Sequence, residues 1–273
     1  MTANATRPVT ILIAAMGGEG GAVLADWLID AATARGFPVQ STSIPGVAQR
    51  TGSTTYYLEI FPVASHGLAG ARAPVLSLTP TPGNVDLAAA SELVEAGRML
   101  QGGFVSSERT VLIGSTHREY AVSEKIAMGD GRYDGQRVRD AADRLARRSV
   151  FFDMRALALQ HGTVINTVIF GAMAASGVLP LSRAACETAI RNSGKAVEAS
   201  LRGFAAGFDA ATGEAAPAVA APAPAPTATP ERVRALAPAV QELAAAGVAQ
   251  TVDYQSERYA ALYLDRVEAV QAV

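Results

Sequence analysis

The segment Ile11–Leu28, ILIAAMGGEGGAVLADWL, reads as a buried strand, a glycine-rich loop and the first turns of a helix. Val9 to Ala15 is a short apolar run of the kind that forms an interior parallel strand. From Gly20 to Arg35, Val23, Leu24, Trp27, Leu28 and Ala31 fall on one helical face, and Gly36 and Pro38 end it. VQSTS (39–43) reads as a second strand, which makes the opening a βαβ unit. Such units carry helices on their sheet faces and ligands beyond the strand C-termini. The same logic extends along the chain. STTYYLEIF (53–61) is a third strand, PVLSLTPTPG an extended piece, and VDLAAASELVEAGRML a strand entering a helix. TVLIGS (110–115) is another buried strand. GQRVRDAADRLARR is an exposed amphipathic helix and SVFFDM a last strand, before a helical stretch over 163–208 with a Val197, Leu201, Phe204, Phe208 stripe. The expected fold is therefore α/β: a Rossmann-like, mostly parallel sheet flanked by helices.

Residues 211–230 hold nine alanines and five prolines, a composition that makes an extended linker rather than a core. It divides a main domain, 1–210, from a helical tail, 231–273. In the tail Tyr259, Leu262, Tyr263 and Val267 are expected on one face, which a lone helix cannot bury.

The totals exclude several classes. With 273 residues, 49% of them apolar, and a net charge of −2, the chain has no basic stripe for nucleic acid. No apolar run reaches the roughly 20 residues of a membrane span, and MTANATRPVT has no secretory pattern, so a cytoplasmic location is expected. The single cysteine, Cys186, cannot ligate an iron–sulfur cluster or a zinc site by itself, and its alanine-rich helical setting makes it a buried structural thiol.

The glycine loop fits no nucleotide fingerprint closely. Gly18 and Gly20 supply two glycines of Gly-x-Gly-x-x-Gly, but Val23 stands at the third, and Ser41–Ser43 stand where an acidic residue would hold a ribose. A P-loop would need Lys and Ser/Thr where Gly21 and Ala22 lie. Two readings of Gly17, Gly18, Gly20 and Gly21 remain: an anion contact at a helix N-terminus, or a tight turn permitting another chain to approach. GDG (129–131) resembles a thiamine-diphosphate metal motif, but the next asparagine, Asn166, comes too late, and Asp130 and Asp134 read as solvated turn residues. His66, His117 and His161 have no metal-ligand spacing; His117, after a strand end, could face a cleft. No catalytic or metal-ligating residue is expected on this chain.

SIPGVAQRTGSTTYYLEIF, together with GGEGGAVLADWL, LSLTPTPG, ELVEAGRML, STHREYAVSEKIAMGDGR and NTVIFGAMAASGVLP, closely resembles the beta subunit of indolepyruvate ferredoxin oxidoreductases. That subunit is the counterpart of the gamma domain in the wider 2-oxoacid:acceptor oxidoreductases. The resemblance runs from about Ile11 to Ala211, and PGVAQRTGS is its most specific part. The tail resembles the start of an extra helical region in long forms, so the chain could be a short form or a fragment. The resemblance implies a non-catalytic subunit of a heteromer that oxidatively decarboxylates aryl 2-oxoacids with coenzyme A and passes electrons to ferredoxin or a similar acceptor. Thiamine diphosphate, magnesium and iron–sulfur clusters would then sit on a large alpha subunit, since electron transfer of this kind needs cofactors. Gln49, Arg50, Thr51 and Gly52 are expected in a loop at the ligand edge. There Arg50 could grip a phosphate or carboxylate, but a salt bridge across a subunit interface is the expected role. A free-standing nucleotide-binding or structural adaptor module is the alternative function.

Overall fold

The computed structural model describes residues 7–44, 53–68, 73–120, 124, 131, 133–213, 231–254 and 256–271. They form two compact units, within residues 1–218 and 219–273.

The first unit is built on a six-stranded sheet of order β2-β3-β1-β4-β5-β6, with β1 Val9–Ala15, β2 Val39–Ile44, β3 Thr54–Ile60, β4 Leu87–Ala90, β5 Val111–Ser115 and β6 Arg148–Phe152. β1, β4, β5 and β6 pair in parallel; the apolar runs of β1, β4 and β5 are buried on both faces, whereas β6, at the sheet edge, is only partly buried. β1 and β2 are joined by α1 (Gly21–Ala34), but they are not neighbours. β3 lies between them, antiparallel to both, so the expected βαβ opening has a reversed strand inserted in it. The short connection from Ile44 to Thr54 accounts for the reversal, because a link of that length joins antiparallel neighbours.

Helices cover both sheet faces. Ile11, Ile13, Leu58, Ile60, Leu87 and Ile113 point toward α1, α4 (Met154–Gln160), α5 (Ile165–Ala175), α6 (Arg183–Ser193) and α7 (Val197–Thr212). Leu12, Ala14, Tyr57, Ala88 and Leu112 point the other way, toward α2 (Leu93–Gln101) and α3 (Gly135–Leu145). Alternation of side chains along each strand fixes this division. On the first face Trp27 stacks on Phe170 at 5.7 Å, and Phe170 meets Phe204 edge-on at 5.2 Å.

The helical stretch expected over 163–208 is three helices, broken at 176–182 and 194–196, and α7 continues through Ala211 to Thr212. PVLSLTPTPG enters no strand. Cys186 is buried, and loss of hydration pushes its thiol up to about 12, which keeps it a protonated, inert packing group. No single helix among the described residues is long and apolar enough to cross a membrane.

The second unit consists of a turn of helix, α8 (Glu231–Arg234), and two longer helices, α9 (Pro238–Tyr254) and α10 (Glu257–Gln271). Its core is Val233, Leu236, Ala244, Val248, Ala260 and Leu264, with Tyr263 and Val267 packed against it. The expected tail face is thus half right. Tyr263 and Val267 turn inward, whereas Tyr259 and Leu262 are exposed, because α9 approaches over the small side chain of Ala260.

Candidate functional site

Strand order reverses direction of travel at β1: the chain leaves it toward β2 and β3, then returns to β4 on the other side. The crevice beyond the C-termini of β1 and β4 is therefore a topological switch point, where open α/β sheets place their ligands. The glycine loop occupies it.

Within the loop the glycines do different work. Gly17 and Gly18 are exposed, with open space where a side chain would stand. Gly20 is the N-cap of α1 at φ +76, and a Cβ there would lie 2.5 Å from Asn166 Nδ2. Gly21 packs its bare Cα against Ala15 and the Tyr56 ring, each 2.6 Å from a Cβ position. These contacts are close-packing requirements, met only by glycine. Among the described residues no side chain caps α1, so its first-turn amides, which have no intrahelical acceptor, gain no side-chain acceptor either. Val23, in that turn, is 43% exposed and does not close helix against strand as a third fingerprint glycine would.

Glu19 is the centre of the site. Its Oε2 accepts from the Met16 backbone N–H at 3.1 Å and from the Ser91 hydroxyl. Met16 N–H is shared with Ser91 Oγ, also at 3.1 Å. Glu19 Oε1 lies 3.6 Å from His117 Nε2, while His117 Nδ1 is 2.8 Å from Ser115 Oγ, which in turn accepts the Met154 N–H at 3.1 Å. One carboxylate thus ties the ends of β1, β4 and β5 together. Burial pushes the Glu19 carboxyl up most strongly, but His117, Ser91 and the Met16 amide together hold it below its ordinary value. Although serine, histidine and glutamate meet here, Ser115 is fully buried and engaged by His117 and the Met154 N–H, so the trio is a structural network and not a nucleophile with its base.

Among the described residues two buried polar atoms beside the loop lack a hydrogen-bond partner: Asn166 Oδ1, and His117 Nε2, whose nearest acceptor is the Glu19 carboxylate at 3.6 Å. Asn166, from the start of α5, donates its Nδ2 to the Gly20 carbonyl at 3.1 Å and is 2% exposed.

A second network lies alongside. Glu92, the N-cap of α2, accepts from the N–H groups of Val94 (2.6 Å), Glu119 (3.2 Å) and Glu95 (3.3 Å) and from Arg118 Nε (3.0 Å). Arg118 also contacts the Glu124 carboxylate and donates to the Tyr133 carbonyl at 2.9 Å. Burial outweighs these donors and leaves the Glu92 carboxyl raised.

Of the residues expected at the site, Gly17, Gly18, Gly20 and Gly21 lie at this edge. Gln49, Arg50, Thr51 and Gly52 fall outside the described residues. Their flanks do not: Ile44 pairs with Thr55 and Ala15 with Thr54, so Ile44 and Thr54 lie at the same end of the sheet as the glycine loop. Ser53, which follows it, donates to Glu95 Oε2 of α2 at 2.6 Å. Asp134 is the N-cap of α3, accepting from Gln136 N–H at 2.9 Å; Asp130 lies outside the described residues. Sequence reasoning missed Glu19, Ser91 and Asn166. The one readable signal was a lone carboxylate among four glycines.

Residues 10–210 match the family model of pyruvate ferredoxin/flavodoxin oxidoreductase. The chain belongs to this family. Among solved structures it is similar to the gamma subunit of a keto/oxoacid ferredoxin oxidoreductase from Geobacter sulfurreducens PCA, at 19% identity and TM-score 0.50, over 75% of this chain and 99% of that one. It is also similar to the 2-oxoglutarate:ferredoxin oxidoreductase of Magnetococcus marinus, solved with 2-oxoglutarate, coenzyme A and succinyl-CoA bound. That likeness has 15% identity and TM-score 0.51, and covers 78% of this chain and 32% of that one. Pyruvate oxidoreductase subunit PORC of Thermotoga maritima aligns at 18% identity and TM-score 0.49, over 74% and 96% of the two chains. No curated protein matches. At these identities the Geobacter sulfurreducens and Magnetococcus marinus structures establish a shared fold.

Proposed function

We propose that this chain is the small, gamma-type subunit of a 2-oxoacid:acceptor oxidoreductase of the indolepyruvate kind. The complex would oxidise an aryl 2-oxoacid with coenzyme A to the acyl-CoA and carbon dioxide, and pass the electrons to ferredoxin or a similar acceptor in the cytoplasm. The observation that carries this reading is the family match over 10–210, in a chain whose single cysteine cannot hold the clusters that such chemistry needs. Thiamine diphosphate, magnesium and the iron–sulfur clusters are therefore assigned to a large partner subunit.

In this reading residues 1–210 are the gamma-type domain, 211–230 the connecting segment and 231–273 an annex. The glycine loop and the Gln49–Gly52 segment together form the contact edge. The uncapped amides of α1 and the guanidinium of Arg50 suit an anion, whether a phosphate of coenzyme A or a carboxylate of the partner. Glu19 disfavours any anion lodged deep in the loop, phosphate or carboxylate alike. The indolepyruvate assignment rests on the PGVAQRTGS resemblance.

The test is turnover by the reconstituted complex on a panel of indolepyruvate, pyruvate and 2-oxoglutarate, each with coenzyme A. Preference for indolepyruvate supports the reading. Preference for pyruvate or 2-oxoglutarate corrects the substrate. Turnover by the large subunit alone, unaffected by this chain, makes it an adaptor.

A further inference from the structure

A cavity of about 400 Å³ opens at the other end of the sheet from the glycine loop, beside the start of β1. Pro8, Val75 and Leu76 give it apolar walls, and Arg7, Thr10 and Glu59 line it with polar groups. A space of this size, apolar with a few convergent polar groups, suits a small ligand.

Two buried carboxylates stand at this end, each 6% exposed, and they are partnered very differently. Asp86 has two guanidinium groups, Arg7 at 2.7 Å and Arg109 at 3.6 Å, and accepts the Thr10 N–H at 2.9 Å. Glu59 makes no ion pair among the described residues. Its donors are two neutral groups, the Tyr57 hydroxyl at 2.5 Å and the Ser77 N–H at 2.8 Å. Burial and the neighbouring Glu59 carboxylate push the Tyr57 phenol up, so it stays a neutral donor. Thr10, opposite Glu59 on β1, turns its hydroxyl away, to the Asn84 carbonyl (2.7 Å) and Asp86 (3.0 Å). A carboxylate offers about four acceptor positions, so about half of those on Glu59 stay open. A buried carboxylate without a cation is also destabilising. One ammonium group supplies both the missing donors and the missing charge.

We infer that this cavity binds a protonated aliphatic amine, with its ammonium on Glu59 and its carbon chain along Pro8, Val75 and Leu76. An anion would meet the Glu59 charge, and an uncharged apolar ligand would leave that charge buried and unpaired. The amine is either a free small molecule or a lysine side chain of another protein, since both present the same group. The site lies away from the glycine loop, and the inference does not rest on the oxidoreductase reading.

The experiment is calorimetric titration of the full chain at constant ionic strength with butylammonium, putrescine and lysine blocked at both ends, and with butanol as the uncharged match. Butylammonium is expected to bind with a dissociation constant of about 1 mM or tighter, and butanol more weakly by about tenfold or more. Glu59→Gln keeps the size of the side chain and should weaken amine binding by about tenfold or more. Val75→Lys changes a side chain that is 82% exposed, so the fold is kept, and its own ammonium at the cavity wall should weaken the amines by a similar factor. Circular dichroism checks both variants. Putrescine binding tighter than blocked lysine supports a free amine, and the reverse supports a lysine of a partner. Absence of amine binding overturns the inference, as does binding that butanol matches or that both variants leave unchanged. Arg72 falls outside the described residues. Amine binding found only in Arg72→Ala would show that the chain's own arginine serves Glu59, and equally overturns it.

Discussion

Glu19 shows how a residue easily passed over in the sequence can organise a site. A carboxylate set among glycines reads as a solvated turn, yet it binds across 72 residues to Ser91, and Asn166 reaches Gly20 across 146. Such long-range convergence has no local signature, whereas the glycines themselves are legible because their conformational demands are local. The Glu19 network makes a pH-dependent prediction. Its carboxyl is held below the ordinary value of 4.5, so the stabilisation is complete above that pH and is lost as pH falls through the lowered folded value. Glu19→Gln should cost about 1–2 kcal/mol in urea unfolding at pH 7, the worth of charge-assisted hydrogen bonds, and much less near pH 3. An equal cost at both pH values would show that the charge of Glu19 stabilises nothing. The glycines allow a comparison as well. Gly18 and Gly20 both have positive φ, but only Gly20 faces a neighbour. Gly18→Ala should cost about 1 kcal/mol, for backbone strain alone, and Gly20→Ala about 2–3 kcal/mol, because Asn166 must also move. Thermal unfolding of the pair separates the two.

At the scale of elements, what the sequence discloses is periodicity and what it conceals is pairing. β1, α1, β4, α2, β5, α3 and β6 are all visible as apolar runs or amphipathic stretches with glycine and proline stops. The insertion of β3 between β1 and β2 is not, because strand direction is set by partners and connection length and leaves no mark on composition. The tail gives the same lesson for helices: Tyr259 and Leu262 looked like core by hydrophobicity, while Ala260, an unremarkable residue in the pattern, is where α9 fits. Packing between elements is most concentrated at Phe170, fully buried between Trp27 and Phe204. Phe170→Ala should destabilise the first unit by about 3–5 kcal/mol, read as a lower urea midpoint with an unchanged slope. A loss below 1 kcal/mol would mean that the α1–α5–α7 layer repacks freely.

For the whole molecule, the proposed contact edge would draw on the glycine loop and on Gln49–Gly52, whose flanking residues Ile44 and Thr54 lie at the same end of the sheet as the loop. If Arg50 holds an anionic group of the partner there, Arg50→Glu turns attraction into repulsion and should reduce assembly by about tenfold or more, with the subunit's own unfolding transition unchanged. Normal assembly with a raised apparent KM for coenzyme A would place the contact on that cosubstrate. Both unchanged would leave Arg50 without a role at the edge. Under the proposed function this chain works only as part of a larger redox enzyme. The most direct measurement is to isolate the tagged chain from its native cells without oxygen, determine the iron and thiamine diphosphate that come with it, and add 2-oxoacid and coenzyme A. A larger cofactor-bearing subunit in stoichiometric amount is expected, with acceptor reduction that requires both additions. A chain isolated free of iron and thiamine diphosphate, with no acceptor reduction in any fraction that holds it, would contradict the proposed function.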